Sequence, residues 1–369
     1  CVGCGVCDVA DKDGISAVAE NGSGGEILVT SDGGNTWEQA SAAQELDYMG
    51  AAAQGTASGA PFSVVASDFG GCQYTVSQSS NPQNWTFSTS EMMGSVMVSQ
   101  NVDDFGDGKS FGVVGQTVLG GNGVAVSVNN GQTFKFYNIT NLSTSARYGA
   151  FPSATTWFVA GGQFPGNDIT DVDGVITRPI TRRYSITFDR KAKKYRHNLN
   201  WSRYPTLKSP SPDFGYVAQI MRTTNGGSSW TSVYLNHTYY FNQIACGSPS
   251  ACVAVGESDQ KGYQGIHIMA TADGGNTWKA TVLSTNPELS VIAAEFVSPL
   301  EVWVGGALFG EIGVKNAVFW HSTNGGQSWA NDTTSITGIF PVALSFVDAQ
   351  HGFAVGINSE ETSSFLRYA

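Results

Sequence analysis

Short apolar runs that end on glycine, not helical stripes, set the rhythm of this chain. Phe111-Gly112-Val113-Val114-Gly115, Cys252-Val253-Ala254-Val255-Gly256, Val302-Trp303-Val304-Gly305 and Phe353-Ala354-Val355-Gly356 are near-continuous apolar segments. Apolar character at every position over so short a length predicts strands covered on both faces. Each segment is the second strand of a unit. A third, as in Glu26-Ile27-Leu28-Val29, leads into a polar turn, and a fourth leaves from the aromatic residue that closes the turn. Ahead of the second strand lies another apolar strand such as Val291-Ile292-Ala293-Ala294-Glu295-Phe296.

The turn recurs with one recipe: a hydroxyl residue, then Asp or Asn, then Gly, then Thr or Ser beside a ring. Copies run from Thr30 through Asp32 to Trp37, Ser127 through Asn129 to Phe134, and Thr223 through Asn225 to Trp230. Two more run from Thr271 through Asp273 to Trp278 and from Ser322 through Asn324 to Trp329, and a worn copy ends at Asn84-Trp85. The closing aromatics stand at 37, 85, 134, 230, 278 and 329, so the steps are 48, 49, 96, 48 and 51. A period near 48 with one doubled step predicts stacked four-stranded units. The recipe has a mechanical reason. Asp or Asn folds onto the backbone of the turn, Gly accepts positive φ, and the ring packs between neighbouring sheets.

On these residues the chain resembles the BNR or Asp-box repeat β-propellers, a family shared by sialidases, sortilin-type receptors and photosystem II assembly factors. The resemblance covers nearly the whole length. It implies an all-β, seven-bladed β-propeller in one domain, residues 1–369, with the boxes on outer hairpins away from the working face. The seventh blade is expected from Val342-Ala343-Leu344-Ser345-Phe346, Phe353 to Gly356 and Phe365 to Tyr368, completed by an N-terminal strand near Val2 to Cys7. Closing the ring in that way would leave no open edge.

The doubled step marks the exception. Between the second strand Trp157-Phe158-Val159-Ala160-Gly161 and the third strand Tyr216-Val217-Ala218-Gln219-Ile220, residues 164–215 obey no repeat. Either a blade has lost its signature or one loop has swollen; the flanking strands favour a loop between the second and third strands of blade four. Ten of the 19 basic residues fall here: Arg178, Arg182, Arg183, Arg190, Lys191, Lys193, Lys194, Arg196, Arg203 and Lys208. With five acids, the segment carries a net +5, and since the whole chain carries -11 the remainder stands at -16. Alternation at Tyr184, Ile186, Phe188 and again at Tyr195, His197, Leu199 predicts a basic β-hairpin. Four uses compete: packing over its own acidic body, contact with a partner protein or neighbouring copy, binding of an anionic glycan, and dibasic cleavage at Arg182-Arg183 or Lys193-Lys194. Nucleic acid is not expected, because the acidic body repels phosphate.

Composition narrows the class. Forty-five glycines and only 13% charged residues in 369 suit tight turns between short strands. No 18-residue apolar stretch occurs, so no membrane span is expected. A start at Cys1 without Met reads as a processed product. Cysteines stand at 1, 4, 7, 72, 246 and 252; Cys246 and Cys252 bracket a turn and are expected to form a disulfide. Cys1, Cys4, Cys7 and Cys72 stay unassigned, with disulfides preferred over a metal because no fourth cysteine follows nearby and no Pro flanks the run. Glycosylation-type triplets begin at Asn21, Asn84, Asn138, Asn141, Asn200, Asn236 and Asn331, a count that favours secretion modestly.

Catalytic chemistry is faint. A sialidase-like mechanism needs an arginine cluster with one member ahead of the first box, and the first arginine here is Arg147. Lysine cannot replace bidentate carboxylate recognition. Carboxylates expected on the working face are Glu45, Asp47, Asp68, Glu91, Glu257, Asp259, Glu288 and Glu311, scattered acids and not a pair, with Glu295 the weak catalytic candidate on an innermost strand. His197, His237, His267, His321 and His351 lack metal-ligand spacing, and no phosphate loop or nucleophile elbow occurs. No metal or cofactor is expected. The reading is a secreted, or alternatively organelle-luminal, non-enzymatic binder in which the 178–208 segment joins Tyr239, Tyr240 and Tyr263. The alternative is a glycoside hydrolase or lyase on an anionic polysaccharide.

Overall fold

The computed structural model describes residues 36, 38, 51–53, 101–115, 121–163, 215–310, 314–331, 336–346 and 349–356 in full, and elsewhere the backbone of strands between Val6 and Tyr368. Every regular element among them is a strand. The strands form consecutive antiparallel sheets spanning residues 6–39, 50–87, 98–139, 146–236, 240–284, 289–332 and 339–368. We number these sheets in chain order. Four strands in sequential order are the rule; the third sheet gains Thr89–Ser90 as a parallel fifth strand, and the seventh has three. First strands of consecutive sheets lie side by side, and Ile339–Asp348 of the seventh sheet lies against Val6–Asp11 of the first, so the series returns on itself.

One expectation about that junction is corrected. Val6 and Cys7 belong to Val6–Asp11, which pairs with Gly14–Asn21 as the first strand of the first sheet. They do not complete the seventh sheet, whose outer strand is Ser363–Tyr368; residues 1–5 lie outside the described residues.

The core sits between sheets, which is why the second strands are apolar throughout. Phe158, Ile220 and Ala160 of the fourth sheet meet Phe241, Ile244 and Met269 of the fifth. Val253, Ile266 and Ile268 of the fifth meet Val291, Val304 and Trp320 of the sixth. Trp157–Gln163 and Cys252–Ser258 are buried at every position.

Gly256 and Gly356, which end two of the apolar runs, and Gly306, one residue past the end of a third, have a cause in the neighbouring strand. Five of the seven first strands carry a bulge at one repeated place, where the register skips Gln100, Arg147, Asn242, Ile292 and Val342. At three of them the carbonyl two residues before the skipped position closes on a glycine of the second strand, Tyr240 on Gly256, Ser290 on Gly306 and Phe340 on Gly356. A Cβ added at Gly256 would strike the Tyr240 carbonyl, and one at Gly306 the Ser290 carbonyl, both inside the 3.0 Å that real Cβ atoms keep. The sequence pattern thus records a bulge in a strand it does not belong to.

Four copies of the repeated turn are described, and they share one hydrogen-bond plan. The hydroxyls of Ser127, Thr223, Thr271 and Ser322 accept the N–H of Gly131, Gly227, Gly275 and Gly326 at 2.8–3.0 Å. The side-chain oxygens of Asn129, Asn225, Asp273 and Asn324 accept the N–H four residues on at 2.9–3.0 Å. Two successive residues take positive φ, Gly-Gly in three copies and Asn130-Gly131 in the fourth, Asn being the other residue that tolerates it. Each turn also donates a backbone N–H to the hairpin between the first two strands of its own sheet, as Gly226 does to Thr155 and Gly274 to Ser250. Asp32, Trp37 and the worn copy at Asn84-Trp85 lie outside the described residues.

Candidate functional site

Because neighbouring strands run antiparallel, the starts of first and third strands share one rim with the ends of second and fourth strands. The repeated turns occupy the opposite rim. On the first rim the fourth sheet ends its second strand at Gln163 and begins its third at Val217, and these two residues pair directly. Residues 164–215 leave and return at that point.

A polar cluster, buried at Tyr216, Tyr240, Asn242 and Glu257 and open to solvent at Asp259, stands beside it. Tyr216, the residue before that third strand, stacks on Tyr240 of the fifth sheet with ring centroids 6.0 Å apart. Its hydroxyl donates to the Asp259 carboxylate and accepts the Asp259 N–H at 3.1 Å. Burial, reinforced by that carboxylate, pushes the Tyr216 hydroxyl up to about 12. Tyr240 and Glu257 are direct cross-strand partners, so their side chains share a face and the Tyr240 hydroxyl donates to Glu257. The other Glu257 oxygen accepts the Val291 N–H of the sixth sheet at 3.1 Å. Ser290 faces the same carboxyl, although its hydroxyl meets no strict hydrogen-bond geometry.

Glu257 is only 6% exposed. Burial raises its pKa, while Tyr240, Ser290, the Val291 amide and Asn242 pull the other way. The two bulged residues complete the cluster. Arg147 holds its guanidinium 5.9 Å from the Tyr240 ring centroid, and the Asn242 amide donates to the Val291 carbonyl at 2.8 Å. Three sheets therefore meet through one set of contacts: Arg147 and Tyr216 from the fourth, Tyr240, Asn242, Glu257 and Asp259 from the fifth, Val291 from the sixth.

The expected site residues distribute unevenly. Glu257 and Asp259 come to this rim, each bonded to a tyrosine, with Glu257 buried and Asp259 exposed, and Glu288 is exposed in the link between the fifth and sixth sheets. Tyr239 and Tyr240, expected on the surface, are both 3% exposed; the short link between sheets folds them into the interface, and Tyr239 stacks on His267. Tyr263 is 48% exposed. Glu295 is half-buried, opposite Trp303. Ile186–Asp189 and Lys194–His197 pair as two antiparallel strands, with Lys194 and Arg196 on the second. Arg178, Arg182, Arg183, Arg190, Lys191 and Lys193 lie outside the described residues, as do Glu45, Asp47, Glu91, Glu311 and Asn200; Asn21 and Asp68 are described by backbone alone.

Cys246 and Cys252 form a disulfide across the hairpin at the opposite rim. Among the described residues, His, Cys, Asp and Glu side chains nowhere gather in threes. No described helix is long and apolar enough to cross a membrane. Arg147, Tyr216 and Asn242 were missed by sequence reasoning. The available signals were the place of Tyr216 at the return of the irregular segment and the polar residues Arg147 and Asn242 interrupting first strands.

The fold and this interlocking rim define a β-propeller. Comparison with family models and with curated proteins gives no match. Among solved structures the chain is similar to YCF48 bound to a D1 peptide, at 12% identity and TM-score 0.58, covering 100% of this chain and 92% of that one. It is similar to YCF48 from Cyanidioschyzon merolae at 14% identity and TM-score 0.57, covering 100% and 96%. A polysaccharide lyase, PL25 ulvan lyase, matches at 9% identity and TM-score 0.54, covering 99% and 90%. At such identities the likeness is one of fold.

Proposed function

We propose that this chain is a seven-bladed Asp-box propeller, one domain over residues 1–369, that works by binding an acidic polypeptide segment in an extracellular or luminal compartment. The basic insertion at 164–215 is its contact element. One observation carries the reading: the insertion is rooted at Gln163 and Tyr216, on the rim where three sheets interlock. A loop whose return is clamped by a hydroxyl–carboxylate bond and a ring stack has a fixed base from which to present its charge. The +5 segment against a -16 remainder supplies electrostatic complementarity to an acidic partner. The similarity to a propeller with a bound peptide supports the same mode.

A hydrolase or lyase reading has one observation in its favour, the Tyr240–Glu257 pair with Arg147 over the ring. Against it stands access, since substrate must reach a carboxyl that is 6% exposed. Release of reducing ends from a uronic polysaccharide, abolished by Tyr240→Phe, would decide for that reading.

Binding is tested with immobilised protein and three probes: polyglutamate, a neutral peptide and heparin. Polyglutamate retention is expected at low salt, weakening as salt rises and falling at least about tenfold when Arg182, Arg183, Lys193 and Lys194 are all changed to Glu. Retention that ignores the charge reversal removes the insertion from this role. Retention of heparin alone replaces the polypeptide with a sulfated glycan.

A further inference from the structure

Beginning at that same rim, a cleft of about 300 Å³ opens between the fifth and sixth sheets. Its walls are Leu283 at the end of the fifth sheet, Leu289, Leu308 and Val318 of the sixth, and the amide side chains of Asn286 and Asn316. The four apolar residues are half-buried and face the cleft, and Leu283, Leu289 and Val318 also pack on the core between the two sheets. At its edge lies Asn331, exposed in Ala330–Asp332 and directly opposite Trp320. Asn331 is also the first residue of an Asn-Asp-Thr acceptor triplet.

We propose that Asn331 carries an N-linked glycan whose first sugar is seated in this cleft, holding the fifth sheet to the sixth. The inference rests on the secretory part of the reading above and adds one site and its structural role. In the modification, the Asn331 amide nitrogen attacks the anomeric carbon of a glycosyl diphosphate-lipid donor. The N–C bond forms, the bond from that carbon to the diphosphate oxygen breaks, the diphosphate leaves with the electron pair, and the amide gives up one proton.

The chemistry of the cleft suits the product. N-acetylglucosamine presents an apolar C–H face and an acetamido methyl to leucine and valine, and hydroxyl and amide groups to asparagine. Burying apolar surface that otherwise faces water is favourable, and a covalently tethered ligand avoids most of the cost of association. The other described triplets differ. Asn138 and Asn141 are exposed and do not line this cleft, and the Asn236 oxygen already accepts the N–H and hydroxyl of Thr238 at 2.7 Å.

The protein is made in a secretory eukaryotic host and mapped by peptide mass spectrometry. Occupancy of Asn331 is expected. Full removal by an amidase, which leaves Asp, is then compared with trimming by an endoglycosidase that leaves one N-acetylglucosamine. Amidase treatment is expected to lower Tm by about 2 °C, with Asn331→Asp reproducing the fall, while the trimmed protein melts with the untreated one. Glycans at other triplets but none at Asn331 overturn the inference alone. So does an occupied Asn331 whose full removal leaves Tm unchanged. A chain with no triplet occupied overturns the secretory reading, and this inference with it.

Discussion

Thr271 shows what the repeated turn requires of one side chain. Its hydroxyl accepts the buried Gly275 N–H at 2.8 Å, and Thr271 itself is 1% exposed. Thr271→Val keeps the shape and removes the acceptor, so about 1–3 kcal/mol of stability should be lost, read from equilibrium urea unfolding. This role was legible, because a hydroxyl ahead of Asp-Gly-Gly has a local explanation. Glu257 was named among scattered acids, but its pairing was not, because a contact 17 residues apart depends on strand register. Its raised pKa has a signed consequence. The folded chain keeps this proton at pH values where the unfolded chain has released it, so stability is full below the ordinary 4.5 and declines as pH rises through the folded value. Glu257→Gln should flatten that decline, measured as the urea midpoint between about pH 4 and pH 8.

Among elements, the second strands were the most readable and the reason for their glycines the least. A short apolar run followed by Gly announces a buried strand, but the bulge that demands the Gly lies in the preceding strand, where its signal is a polar residue at Arg147 and Asn242 and none at Ile292 or Val342. Gly256→Ala should therefore cost about 1–3 kcal/mol or more, since the atom it meets is the Tyr240 backbone carbonyl and cannot rotate away. A circular-dichroism melt checks this. The disulfide was readable from Cys246 and Cys252 flanking a Gly-Ser-Pro-Ser turn. The place of the first strand was not: Val6–Asp11 carries an apolar pattern that fits the edge of the last sheet as well as the core of the first. Only pairing with Gly14–Asn21 decides between them.

At the scale of the molecule, order and contact of the sheets follow from a repeat visible in the sequence, whereas the interlocked rim follows from side chains that break the repeat. Arg147 and Asn242 occupy bulges and Tyr216 lies beyond an irregular segment, so none belongs to the template. The two rims also differ in freedom. At one, each of the four described turns is tied to the adjoining hairpin of its own sheet and, in two cases, to a cation of the preceding sheet: Arg222 reaches Asn276 at 3.0 Å and Lys279 reaches the Gln327 carbonyl at 2.7 Å. At the other rim Gln163 and Val217 stand face to face. Replacing residues 164–215 with Asn-Gly, which together with Tyr216 makes a three-residue loop between Gln163 and Val217, should thus leave a folded protein with the parental near-ultraviolet spectrum and no polyglutamate retention. That adjacency makes the basic segment a detachable cartridge. A different sequence, spliced between the same two neighbours, would inherit a ready socket, and the ring could be given a new specificity without altering a single strand.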